Sequence, residues 1–171
     1  MLDQTQMTRQ EAIDRLRDFG IQGEQVYLID LIPLVEMIWA DGSAQRSEVA
    51  IFEAYLEQHV QRVNALAGYS MLTIEAAQTF IQRFLNERPS EKLLQTLRSL
   101  IPPVRLTNSD ETNNQALRDS LLQGCLDIAA SSVTQYPYES VERFCSSEKQ
   151  CWFEIFDTLN ASDRSQTAHS N

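Results

Sequence analysis

The stretch over residues 24–40, EQVYLIDLIPLVEMIWA, constrains this chain more than any other because it is apolar on nearly every side. Its densest face carries Leu28, Leu31, Ile32, Val35, Ile38 and Trp39 at spacings of three and four, the period of a helix. A helix that meets water keeps a polar stripe. This one has almost none, so it needs other helices around it and is expected at the centre of the molecule. Pro33 falls inside it. A proline within a helix lacks the N–H for the ladder and clashes with a carbonyl one turn back, at a cost of about 3 kcal/mol. A kink or a break is expected there.

The flanking segments read as the helices that surround it. Thr8-Arg9-Gln10-Glu11 has the form of a capping box, and Ile13, Leu16 and Phe19 follow it until Gly20. Residues 45–67 place Ile51, Phe52, Tyr55, Leu56, Val60, Val63 and Leu66 on one stripe, with Glu53, Glu57 and Arg62 outside it and Gly68 at the end. Thr73 and Ser90 are suited to cap a fourth and a fifth helix. The fourth stops before Pro89, and Pro102-Pro103 closes the fifth. Residues 107–114 are polar and without period, which predicts a surface loop. Leu117, Leu121, Leu122, Cys125, Leu126 and Ile128 mark a further buried helix, and Cys151, Trp152, Ile155, Phe156 and Leu159 a last one, before a polar tail over residues 161–171. With only five glycines and five prolines in 171 residues, a many-turned β-sandwich is disfavoured. The expectation is an all-α fold, a compact bundle of about seven to eight helices forming one domain over residues 1–160.

A formal net charge of −10 sets the chain against nucleic-acid backbones, since no basic stripe is present to displace counterions from phosphate. The start lacks a basic segment leading into an apolar one, and no run of about 18 apolar residues occurs, so a cytoplasmic protein with no membrane insertion is expected. Cys125, Cys145 and Cys151 lack CxxC spacing and read as free thiols; His59 and His169 have no partner at zinc-ligand spacing, and His59 reads as a partly buried helix residue. GxSxG, Walker-type and HExxH patterns are absent, and Asp18-Phe19-Gly20 reads as a helix end, so the chain is expected to be non-enzymatic.

Self-similarity adds a second level of order. Residues 31–40 align with residues 121–130 at an offset of ninety, and Ser47-Glu48-Val49-Ala50-Ile51-Phe52 aligns with Ser147-Glu148-Lys149-Gln150-Cys151-Trp152 at an offset of one hundred. The second copy thus carries about ten extra residues, around positions 133–143. Between the first pair of helices lies Ile38-Trp39-Ala40-Asp41-Gly42, with Glu48 seven residues after Asp41. This turn, in its helical setting over residues 28–56, resembles the TerB-like family of tellurite-resistance proteins. The resemblance implies a compact helical domain built from two related helix hairpins, with a role in stress response such as tellurite resistance. In the second copy Ser131 and Ser132 stand where Asp41 and Gly42 stand in the first, and Glu148 is the counterpart of Glu48.

The turn offers chemistry as well as shape. Hard cations such as Ca²⁺ and Mg²⁺ take oxygen ligands, and a helix hairpin brings a carboxylate at the end of one helix near another in the first turn of the next. Asp41 and Glu48 have that placement, and Glu36 is the third candidate for a divalent-cation site. Asp30 lies roughly 16 Å along a helix from Asp41 and cannot share the ion. An EF-hand is excluded, because Arg46 stands where its glycine belongs and Phe52 where its bidentate glutamate belongs. Each residue also has a purely structural role open to it: a left-handed Gly42 ending a helix, Asp41 bonding the turn, Glu48 facing a helix dipole. The other functional reading is accordingly a metal-free helical scaffold that docks a protein partner, whose identity the sequence does not specify.

Overall fold

A computed structural model describes residues 7–40, 42, 44–131 and 146–161. Asp41, Ser43, Ser132, Cys145, His169, the extra segment of the second hairpin and the expected tail beyond Ala161 lie outside the described residues. Eight α-helices and one 3-10 segment make up the described chain, with no strand among the described residues: α1 Arg9–Asp18, the 3-10 segment Gly23–Leu31, α2 Ile32–Trp39, α3 Arg46–Ala67, α4 Ile74–Leu85, α5 Glu91–Ser99, α6 Ile101–Arg105, α7 Glu111–Ser131 and α8 Ser146–Leu159. No helix among the described residues is long and apolar enough to cross a membrane.

Local chemistry sets the ends of these elements. Thr8 Oγ1 accepts from Glu11 N at 3.2 Å while Thr8 N donates to Glu11 Oε2 at 2.9 Å, the reciprocal capping box. Thr73 and Ser90 cap α4 and α5 through their hydroxyls. Gly68 ends α3 at φ 81°, a left-handed conformation that a side chain would strain.

Residues 24–40 are not one helix. The ladder changes type at Leu31 and Ile32, and Pro33 enters the first turn of α2, a position where a helix tolerates proline. The same rule corrects the expectation at Pro102-Pro103: these prolines do not close a helix but open α6, a turn after α5 has ended at Ser99. The expected loop over residues 107–114 is shorter too, because α7 begins at Glu111. Asn114 is buried there and bonds both backbone groups of Asn108, so a polar residue builds the helix entry that composition alone assigned to a loop.

α2 sits at the centre as expected. Seven of its eight residues are buried, and α3, α5, α7 and α8 pack around it. One apolar cluster among the described residues runs from Ala12 and Leu16 of α1 through α2 to Ile155 and Leu159 of α8. The hairpin correspondence is visible in burial. Leu31, Val35 and Ile38 are buried, as are Leu121, Cys125 and Ile128 ninety positions on; Glu48 and Glu148 are both buried at the starts of α3 and α8.

Two polar ties, besides the Glu36–Arg98 pair, brace this core. Asp30 is fully buried; its Oδ2 accepts from Arg105 Nε at 2.9 Å and lies 3.3 Å from His59 Nε2. His59 Nε2 is also 2.8 Å from the Tyr27 carbonyl, which can only accept, so that nitrogen carries a hydrogen. Arg105 stacks over the Tyr27 ring at 4.6 Å. At the other tie, buried Arg118 on α7 donates to the Leu159 carbonyl at 2.9 Å and to Glu111 Oε1 at 2.8 Å, holding the end of α8 against the start of α7.

Candidate functional site

α2 ends at Trp39, and the chain turns back through Gly42, whose φ of 97° is the left-handed conformation anticipated for it. Gly42 N donates to the Trp39 carbonyl at 2.9 Å. A Cβ built on Gly42 would lie 3.8 Å from Arg88 Nη1, so a guanidinium stands beside this turn. A divalent ion bound there would have to tolerate or displace that positive charge.

Of the three candidate ligands, Asp41 lies outside the described residues. Glu48 is buried at the third position of α3, where its Oε1 accepts from Gln45 N at 3.2 Å as half of a reciprocal capping box. The sequence places Glu48 in a first turn facing the helix dipole, and the geometry adds this capping contact to Gln45. Glu48→Ala is expected to lower unfolding free energy by about 1–2 kcal/mol, with Glu48→Gln keeping most of it. Thermal melts of the three proteins with and without millimolar Ca²⁺ check this. Stabilisation of wild type by Ca²⁺ that vanishes in Glu48→Ala would return the carboxylate to the role of an ion ligand.

Glu36 faces a different environment. Its Oε1 accepts from Arg98 Nη1 at 2.7 Å, and both side chains are more than nine-tenths buried. Glu36 Oε2 and Arg98 Nε have no hydrogen-bond partner. Burial pushes the carboxyl up to about 7, against the opposing charge and hydrogen bond of Arg98, while Glu154 on α8 adds to the rise. Among the described residues, no group of three His, Cys, Asp or Glu side chains is placed to hold a metal ion.

Glu36 lines a cleft of about 200 Å³ that sequence reasoning did not anticipate. One wall is the end of α2, with Trp39 and Ala40. The second is the α4–α5 connection and the start of α5, with Arg88, Pro89, Glu91, Leu94 and Gln95. The third is α8, with Ser147, Gln150, Cys151 and Glu154. Trp39 is fixed in its wall, because its indole N–H donates to the Phe84 carbonyl at 2.9 Å. Burial pushes the Cys151 thiol up to about 12 and the buried Cys125 thiol up as well; both are free, as expected, and both are held in the unreactive protonated form.

No protein-family model, curated protein or solved structure matches the chain. Function is therefore argued from this cleft and from the turn beside it.

Proposed function

We propose that this chain is a non-enzymatic, TerB-like helical domain that serves a stress response by holding a partner protein at the cleft between α2, the α4–α5 connection and α8. One observation carries the reading: three separate helical elements wall an open cleft that brings Trp39, Leu94, Arg88, Gln95 and Gln150 together. The TerB-like part is supported by the turn after α2 and by the recurrence of the α2–α3 pattern in α7 and α8.

The test is site-specific photo-crosslinking in cells. A benzophenone residue at Gln95, an exposed position lining the cleft, is expected to give a discrete adduct. The same group at Gln115, exposed on α7 and not part of the cleft, is expected to give none. Absence of an adduct at Gln95, or equal adducts at both positions, rejects the reading.

Divalent-cation binding at the Asp41 turn is the competing reading. Glu36 and Glu48 are engaged by Arg98 and by the α3 N-terminus, which favours the metal-free form. Calorimetric titration of Ca²⁺ and Mg²⁺ into wild type and Asp41→Ala separates the two. Heat seen with wild type and lost in the variant restores the cation site.

A further inference from the structure

A second groove, of about 250 Å³, adjoins the cleft and shares Arg88 and Pro89 with it. It lies between the chain leaving α1, the end of α4 and the start of α5. Leu93 and Leu97 are four positions apart and so share one face of α5, while Leu94 lines the neighbouring cleft. Together with Ile21 and Phe84 they give the groove an apolar floor. That floor is recessed, since Ile21, Phe84 and Leu97 are each no more than 4% exposed. Phe19, which also lines the groove, is 38% exposed.

The charge here runs against that of the whole molecule. In a chain of formal charge −10, the groove is lined by two guanidiniums, Arg83 and Arg88, and one carboxylate, Glu87. Arg83 is set in place by two rings, its guanidinium carbon lying 4.5 Å from the centre of Phe80 and 4.8 Å from that of Phe84. Burial against them draws its pKa below the ordinary value, although the residue as a whole stays exposed. Among the described residues no carboxylate lies within ion-pair distance of it, Glu87 one turn further on included. Arg88 has Glu91 at 3.9 Å, a long and exposed pair that contributes little.

A partly desolvated cation without a counter-ion, beside a recessed apolar floor, calls for a ligand that is anionic and apolar at once. Nucleic acid brings the charge but no side chain to fill the floor. A bilayer is too flat to reach it, and a fatty acid in an open groove would leave much of its tail in water. A peptide that projects one large apolar side chain between acidic neighbours meets both features, and guanidiniums pair with carboxylates in two-pronged geometry. The size agrees. A cavity of roughly 150 Å³ holds a benzene molecule, so about 250 Å³ takes one phenylalanine or leucine side chain with the backbone beside it.

We propose that this groove docks an acidic segment of a partner protein, seating one phenylalanine or leucine side chain on Ile21, Phe84, Leu93 and Leu97 while flanking carboxylates pair with Arg83 and Arg88. The site stands on its own lining and does not depend on what occupies the neighbouring cleft.

The full-length protein is titrated, with backbone amide NMR shifts as readout, against acetyl-Asp-Glu-Phe-Leu-Asp-Glu-amide and two controls: the same peptide with Gly-Ser in place of Phe-Leu, and the same peptide with lysine at its four acidic positions. Saturable shifts at Ile21, Phe84 and Leu93 are expected with the first peptide and with neither control. Arg83→Gln is expected to weaken binding at least tenfold and Arg83→Lys by less; Arg83 is exposed, so both should keep the wild-type helical circular dichroism. Leu93→Ala, at a half-buried position, should weaken it several-fold, which an interaction of charge alone would not show. No saturation by the first peptide at 10 mM, equal binding of either control, or full affinity in Arg83→Gln overturns the proposal. Tighter saturation of the same amides by decanoate, or co-sedimentation with phosphatidylglycerol vesicles that Arg83→Gln abolishes, overturns it in favour of a lipid. The crosslink at Gln95 reports on the neighbouring cleft alone, so the two sites fail separately.

Discussion

Replacing Asp30 with alanine is expected to lower the unfolding free energy by about 3–5 kcal/mol, because it strips the counter-charge from a cation that is largely enclosed. Asp30 is fully buried, Arg105 donates to it at 2.9 Å and His59 lies 3.3 Å away. With the carboxylate gone, the Arg105 guanidinium keeps its stacking on Tyr27 but loses its ionic partner. The penalty is that of an uncompensated charge, and it exceeds the net value of the pair. The distinction is measurable. Urea unfolding of Asp30→Ala should show the full loss, while the double variant Asp30→Leu with Arg105→Met should recover most of it, since apolar replacement of a buried pair is often close to neutral. A loss below 1 kcal/mol in the single variant would mean that Arg105 swings out to water and that the tie contributes little.

Glu36 gives the second large effect, as a function of pH. Burial lifts its carboxyl from an ordinary 4.5 to about 7. Between those values the folded protein retains a proton that the unfolded chain has released, so stability falls as pH rises. The contribution is fully present below pH 4.5 and lost as pH passes through 7. At about 1.4 kcal/mol per unit of pKa, it amounts to about 3 kcal/mol. Glu36→Gln, which cannot ionise but can still accept from Arg98, should lack this component. Subtracting its stability from that of wild type at pH 5, 6, 7 and 8 is expected to give a curve that declines across the series. A flat difference would show that Arg98 already compensates the charge in full. Glu111, held below the usual carboxylate range by its hydrogen bonds to Arg118 and Asn114, acts with the opposite sign at lower pH and does not mask the effect.

Residues that signal through their neighbours in sequence were readable, and those that act across the fold were not. Thr8, Thr73 and Ser90 cap the helices expected of them, because a cap needs only the next three residues. Pro102-Pro103 is ambiguous in sequence because proline breaks a helix interior and suits a helix start equally well; which occurs depends on whether the chain has already turned. The 3-10 character of Gly23–Leu31 is not legible in residues 24–40, because apolar spacings of three and four fit either helical period over so short a stretch. At the site, Glu48 was legible as a first-turn residue, since its partner Gln45 is three positions away. The ion pair of Glu36 was not legible in sequence. Its partner Arg98 is 62 positions distant on a helix that looked ordinary, and nothing local marks the pairing. Asp30 met the same obstacle, with Arg105 75 positions away.

The short central helix has a consequence for how the protein is made. α2 is eight residues long, well under the roughly 12–15 that let a helix persist alone in water. Two of the helices that cover it, α7 and α8, begin at Glu111 and Ser146. On the ribosome, roughly seventy residues must therefore be added after α2 before its far wall starts to emerge, on the order of ten seconds at typical elongation rates. Throughout that interval only α3 and α5, of the helices that cover it, can reach it, so the faces destined for α7 and α8 stay exposed while the chain is made.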